Sequence, residues 1–350
     1  MTAPDTPVAC GGYRALIGVG GIGAGSFFAL DGNHTLGREE SRSGRFLDRR
    51  DYCKLHIIAH YVKVLLGSQF PVIPIGKVGA DDVGERLLRE MAEVGLDMRY
   101  VEVVPGSQTL FSFCFIYPDG SGGNLTTDDS ACSHVDAATI ALAEPEFARY
   151  AGAGIALAVP EVALDARRAL LELGGRYRFL RVASVATGEV AAAEEMGLFE
   201  QVDLLALNLS EAAALAGFST EDRPPESIVE AAVASLGRRN PAAWVTITAG
   251  GRGSWVWDGA QLWHRPALPV EVAGAAGAGD AFLAGFLVGL AAGLDLVHSH
   301  ELANLVAAHA VTSPHTINKA TDRAALCRLA CAKGLALSEP IACLLESRAG

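Results

Sequence analysis

The sequence predicts an α/β fold: a doubly wound, mostly parallel sheet flanked by helices, with a small β lid. Short apolar runs alternate with helical repeats almost throughout, the pattern of a parallel sheet whose crossovers are helices. Half of the 350 residues are hydrophobic and 19% are charged, which supplies a large core and excludes disorder as the main state. The 39 glycines, with abundant Ala, suit close packing of helices on a sheet.

Taken in order, strands are predicted at Ala15–Val19, Phe70–Pro74, Gly154–Val159, Phe179–Val182, Leu204–Leu207 and Trp244–Thr248. Helices are predicted at Asp51–Leu66, Ala80–Val94, Asp165–Leu173, Glu211–Ala216 and Ser227–Leu236, then from Gly279 to Leu290 and His300–Thr312. Two stretches break the alternation. Residues 31–45 are polar and rich in Gly, and residues 107–126 place alternating apolar residues before a Pro-Asp-Gly turn signal. Together they are read as the lid, inserted in one domain spanning 11–340.

The net charge of −12 argues against nucleic acid as a partner, because phosphate backbones need a basic face. A small anionic substrate stays open, since a few local donors outweigh a global field. The longest apolar candidate, Ala281–Leu294, has three glycines and falls short of the roughly 18–20 residues that span a bilayer. The N-terminus has no cationic start followed by an apolar run, so no signal peptide is expected. The seven cysteines form no CxxC pair and no zinc pattern, and are read as reduced thiols of a cytoplasmic protein. A monomer or a homodimer fits equally.

The strongest chemical signal is GAAGAGDAFLAGFLVGL, Gly274 to Leu290. Gly277, Ala278 and Gly279 end a loop and open a helix, so their amides converge where the helix dipole is positive, a place for an anion. Asp280 follows in the first turn, where a carboxylate either takes a proton from a substrate hydroxyl or simply caps the helix. Asn208 with Glu211, just past a strand, is likewise either a cap or a pair facing a ligand. The turn from Thr248 through Gly250 to Gly253 reads as a strand-end loop.

The run Gly277-Ala278-Gly279-Asp280-Ala281-Phe282, continued by Ala284-Gly285-Phe286, resembles the second signature of the ribokinase-like (PfkB) carbohydrate kinases. Asn208-Leu209-Ser210-Glu211, Thr248 to Gly253, Ala303-Asn304 with Ala307–Thr312, and Gly76–Gly84 resemble further elements of that family, in its order, over about residues 70–315. The resemblance implies an ATP-dependent kinase with Asp280 as base and Gly277, Ala278 and Gly279 forming an anion hole. It implies that Asn208 and Glu211 serve Mg²⁺ indirectly, that Thr248, Gly250, Gly253 and Asn304 border ATP, and that the acceptor is sugar- or nucleoside-like. It leaves the need for a monovalent cation open.

The chain also departs from that family. Gly274 and Ala275 stand where it carries Asp-Thr, and the Gly-Gly pair and Asn that grip sugar hydroxyls are missing from Asp51–His60. An early Asp is absent too, its region being Gly18–Gly25. Asp31, Asn33, His34, Lys54 and His56 are the polar groups left as acceptor contacts. The glycines at 18, 20 and 23 spell G-x-G-x-x-G, but no acidic residue closes a second strand as a dinucleotide site requires; a backbone passing under a substrate is the preferred reading. His56 and His60 are spaced i,i+4 without the Glu of HExxH, so no metal is assigned to them. The second reading of the whole is a protein of this fold that binds a nucleotide or metabolite as a regulator and does not phosphorylate; the missing sugar grip favours it and Asp280 disfavours it.

Overall fold

Strand β1 (Ala15–Val19) is buried at every position, as a strand covered on both faces must be. The computed structural model describes residues 12–119, 121–220 and 223–346. After β1 the chain makes β2 (Gly23–Leu30) and β3 (Gly44–Tyr52), then α1 (Lys54–Leu66), β4 (Val72–Gly79), α2 (Asp82–Val94) and β5 (Tyr100–Val104). Next come β6 (Leu110–Ile116), β7 (Gly122–Thr126), and the short helices α3 (Ala137–Ala141) and α4 (Glu144–Arg149). The chain then alternates through β8 (Gly154–Ala158), α5 (Leu164–Arg176), β9 (Leu180–Ser184), α6 (Val190–Glu195), β10 (Leu204–Asn208), α7 (Leu209–Ala216), α8 (Pro225–Arg239) and β11 (Trp244–Thr248). A hairpin of β12 (Ser254–Trp257) and β13 (Leu262–Arg265) precedes α9 (Ala278–Ala291), α10 (Leu296–Ala310), α11 (Arg323–Ala332) and α12 (Glu339–Glu346).

The large sheet runs β13-β12-β11-β10-β9-β8-β1-β4-β5. Pairing is parallel from β11 to β5, and the β12–β13 hairpin adds an antiparallel edge. Strand alternation divides the core: Leu16 packs with α1, α2 and α9 to α12, whereas Ile17 packs with α3 to α8 on the other face. This is the doubly wound α/β fold expected from the alternation. Helix α9 is buried from Ala281 to Ala291, so it is apolar all round, and its N-terminal end, from Ala278 to Asp280 with Phe282 and Leu283, reaches the cavity. Among the described residues no helix is long and apolar enough to cross a membrane.

A second sheet, ordered β3-β2-β6-β7, stands beside the first, with β2 and β6 parallel and the two outer pairs antiparallel. It differs from expectation in one respect. Gly23–Leu30, to which no strand was assigned from the sequence, are strand β2, and Asp51 and Tyr52, read as the start of a helix, end strand β3. Pairing on both edges of β2 outweighs local propensity here, and the charged β3, an edge strand, has no apolar periodicity to reveal it. The β6–β7 hairpin falls within residues 107–126, while 31–43 form the link between β2 and β3. Strand β4 runs on to Gly79, past the expected end at Pro74, and α10 begins at Leu296, capped by Asp295, ahead of His300.

Candidate active site

The ends of β10 and β11 and the first turn of α9 border a cavity of about 720 Å³, placed at the carboxyl ends of parallel strands where ligands of such sheets bind. Gly277 caps α9 with φ +78°, and a Cβ there would lie 2.6 Å from the Thr316 carbonyl oxygen, so the position needs glycine. The Ala278 amide donates to the Ala275 carbonyl (3.2 Å), and Ala281 makes the first intrahelical bond, to Gly277 (2.9 Å). The Gly279 and Asp280 amides have no backbone partner among the described residues, so two first-turn donors face the cavity beside the Asp280 carboxylate.

Lys54, the first residue of α1, places its Nζ 3.6 Å from Asp280 Oδ1 and 3.9 Å from Glu211 Oε1. The charge of Asp280, then that of Glu211, holds the ammonium well above the ordinary lysine range. Asn208 ends β10 and caps α7: its Oδ1 accepts from the Glu211 amide (2.9 Å), and Glu211 Oε2 accepts from the Asn208 amide (2.7 Å). Glu211 is 5% exposed, and burial pushes its carboxyl upward. The capping box uses one oxygen and leaves Oε1 toward Lys54.

The remaining cavity residues follow from the strand ends. Thr248 Oγ1 lies 3.4 Å from where a Gly279 Cβ would be, and Gly250 and Gly253, at φ +56° and +92°, shape the turn after β11. Asn304 on α10 accepts from Ser254 Oγ (3.2 Å) and donates to the His300 carbonyl (3.1 Å). Thus Lys54, Asn208, Glu211, Thr248, Gly250, Gly253, Gly277, Ala278, Gly279, Asp280 and Asn304 all line one cavity.

The other expected contacts stand elsewhere. His56 is 2% exposed inside the molecule, packed edge-on against Tyr52, and burial pushes it down to about 3. Asp31, Asn33 and His34 are exposed on the β2–β3 link, where Asn33 Oδ1 accepts from the Asp119 amide (3.0 Å) and His34 meets Glu40 (2.9 Å). The glycines after β1 are crowded by the protein itself: a Cβ at Gly20 would lie 2.3 Å from Val159, and one at Gly21 would lie 2.4 Å from Glu161. The glycine run therefore serves chain packing here.

Two carboxylates not anticipated from the sequence stand around the Lys54–Asp280 pair. Glu161, just after β8, has φ +77°, rare for a side-chain-bearing residue, and its Oε2 is buried with no hydrogen-bond partner among the described residues. Burial pushes its carboxyl up to about 7, against the pull of Lys54. Asp51, at the end of β3, is likewise pushed up, by burial first, with the Asp280 charge acting in the same direction. The one sequence signal for Glu161 was its place just beyond a strand's carboxyl end; Asp51 carried none once read as helix.

Comparison with known proteins follows the same geometry. Solved structures with the same fold include ribokinase from Cryptococcus neoformans var. grubii serotype A (TM-score 0.74, 18% identity, covering 91% of this chain and 99% of that one). They also include Burkholderia thailandensis nucleoside kinase (0.69, 20%, 91% and 97%) and Arabidopsis thaliana ribokinase (0.69, 17%, 96% and 100%). Fructoselysine 6-kinase of Escherichia coli (strain K12) is 51% identical over 55 residues, 16% of this chain and 21% of that protein, so the chain spans about a fifth of that relative's length. The family model described as pfkB family carbohydrate kinase matches residues 58–323, a span that includes Asn208, Glu211, Gly277 to Asp280 and Asn304. With this fold and most of its length matched by that model, the chain belongs to the pfkB family of carbohydrate kinases.

Proposed function

We propose that the protein transfers the γ-phosphoryl group of ATP to a hydroxyl of a small sugar- or nucleoside-like metabolite, with Asp280 as general base. The observation that carries this reading is the juxtaposition, on the wall of a 720 Å³ cavity, of the Asp280 carboxylate, two first-turn amides with no backbone partner among the described residues, and the Lys54 ammonium 3.6 Å away. Phosphoryl transfer asks little more of a protein than positioning and charge stabilisation.

In this mechanism an acceptor hydroxyl lies between Asp280 and the γ-phosphorus. Its proton passes to an Asp280 carboxylate oxygen as its own oxygen bonds to phosphorus and the bond to the β,γ-bridging oxygen breaks, leaving ADP. The Gly279 and Asp280 amides donate to the oxygens where charge develops, worth several kcal/mol when such donors are fixed in advance. Lys54 offsets the negative charge that Asp280 and Glu211 bring to the phosphates.

No three His, Cys, Asp or Glu side chains among the described residues form a metal cage. Glu211 and Asn208 would hold, through water, an Mg²⁺ brought in on the phosphates. Bound there, Mg²⁺ supplies neutralisation of phosphate charge. The small sheet would act as the lid over the acceptor. The regulator reading draws on the missing Gly-Gly and Asn; the Lys54–Asp280 pair, needless in a passive binder, weighs against it. Purified protein with ATP, Mg²⁺ and a panel of sugars and nucleosides should release ADP in an acceptor-dependent way. Nucleotide binding with no ADP release for any acceptor would favour the regulator.

A further inference from the structure

We propose that Ser254 and His300 are positioning residues for base selection: they lock the Asn304 amide in one orientation, so that the cavity takes adenine and rejects a 6-oxopurine. The inference rests on the kinase reading above and adds to it the residues that choose the nucleotide.

The direction of each hydrogen bond follows from what each group can give. The His300 carbonyl only accepts, so the Asn304 atom 3.1 Å from it is the amide nitrogen. Oδ1 of Asn304 then faces Ser254 Oγ at 3.2 Å, and an amide oxygen cannot donate, so the serine hydroxyl gives it its one proton. With that proton committed, Ser254 Oγ accepts from His300 Nε2, 2.8 Å away. His300 is therefore the tautomer with its proton on Nε2 and a bare Nδ1. Nδ1 is buried with no hydrogen-bond partner among the described residues, which a lone pair tolerates better than an N–H would.

The lock is closed to water. Ser254 and His300 are each 1% exposed, and the Phe282 ring stands edge-on to the imidazole with centroids 5.8 Å apart. Burial, then the charge of Arg265, pushes His300 down to about 3, so the imidazole stays neutral and keeps its tautomer. Turning the Asn304 amide over would set its oxygen against the His300 carbonyl oxygen, a repulsion that a dry site does not screen.

Ser254 and Asn304 both line the 720 Å³ cavity, where Leu268, Ala307, Ala308 and Val311 add apolar wall for a flat base. After the locking bonds, the Asn304 amide still has one N–H and one Oδ1 lone pair to give. Adenine carries the matching edge, an N6 amino donor beside the N7 acceptor, the pair that an Asn amide meets with two hydrogen bonds. Guanine and hypoxanthine carry O6 in that place, an acceptor set against Oδ1. A freely turning amide could offer its NH₂ group to O6; the locked one cannot.

The test measures dissociation constants of ATP, GTP and ITP, each with Mg²⁺, by calorimetry on wild type, Ser254→Ala and His300→Phe. Wild type should bind ATP about tenfold or more tighter than GTP and ITP, the discrimination that one such amide pair gives. In both variants ATP should weaken by about three- to tenfold, the loss of one buried hydrogen bond, while GTP and ITP hold or tighten, so that the preference collapses. Should His300→Phe fail to fold, Ser254→Ala, smaller by one oxygen, decides the matter. A wild type that binds no nucleoside triphosphate overturns the kinase reading and this inference with it. A wild type that binds GTP or ITP as well as ATP, or variants in which all three weaken alike or none changes, overturn this inference and leave the kinase reading intact.

Discussion

Lys54 and Asp280 lie 226 positions apart in sequence, yet the Lys54 Nζ stands 3.6 Å from Asp280 Oδ1 and 3.9 Å from Glu211 Oε1. The first residue of one helix thus neutralises the first turn of another, at the wall of the cavity that ATP would fill.

Replacing Lys54 tests that role. Lys54→Met leaves Asp280 and Glu211 facing an incoming triphosphate without a counter-charge. The ATP dissociation constant measured calorimetrically with Mg²⁺ should rise by about tenfold or more, the value of one charge-assisted contact at a half-buried position. An unchanged constant would make Lys54 a structural ion pair only.

Gly277→Ala tests the geometry of the helix start. The new methyl would sit 2.6 Å from the Thr316 carbonyl, on a residue held at φ +78°. Stability should fall by about 1–3 kcal/mol, seen as a lower denaturant midpoint, and turnover should fall with it because the Gly279 and Asp280 amides shift. A variant as stable and as active as wild type would contradict the strained cap.

Glu161 gives a pH signature. Its carboxyl is raised by burial from about 4.5 unfolded to about 7 folded. The folded state therefore holds a proton that the unfolded state has lost between those values, and Glu161 costs stability progressively as pH rises through that window. Glu161→Gln, neutral at every pH, should be more stable than wild type at pH 8 by about 1–3 kcal/mol. That advantage should vanish as pH falls toward 4.5, the unfolded value. Melting curves of both proteins across this range measure it, and a constant difference would mean that Glu161 ionises as freely in the fold as out of it.

How much of this was legible depends on how each residue reaches the site. Gly277 to Asp280 are contiguous and Asn208 ends an apolar strand three residues before Glu211, so their patterns drew notice, and the family resemblance joined them to Gly250, Gly253 and Asn304; all line one cavity. The middle of the main sheet was legible because β1, β4 and β8 to β11 read as plain apolar runs, whereas β5 and the β12–β13 hairpin, at its two edges, were not expected. Asp51 and Glu161 were not. Asp51 lies in β3, whose sequence GRFLDRRDY shows no strand alternation and exists as a strand through its pairing with β2. Glu161 gains meaning only when β8 takes its place beside β1, which sets Glu161 against Gly21 and near Lys54. His56 misled in the opposite direction: three charged or ionisable residues, Asp51, Lys54 and His56, lie within six positions, but the turn of α1 carries His56 into the interior while Lys54 heads for the cavity.

The central claim is that Asp280 takes the proton of the acceptor hydroxyl, and Asp280→Asn tests it most directly. Asn has nearly the same volume and is tolerated at a helix start, so the fold should stand; ATP binding should hold or tighten slightly as a negative charge beside the phosphates is lost. The measurement is kcat of the variant beside its melting temperature and ATP dissociation constant. The expected result is a folded, ATP-binding protein whose turnover drops by about 10²–10⁴-fold. A variant that folds, binds ATP and keeps more than about a tenth of wild-type turnover would contradict it.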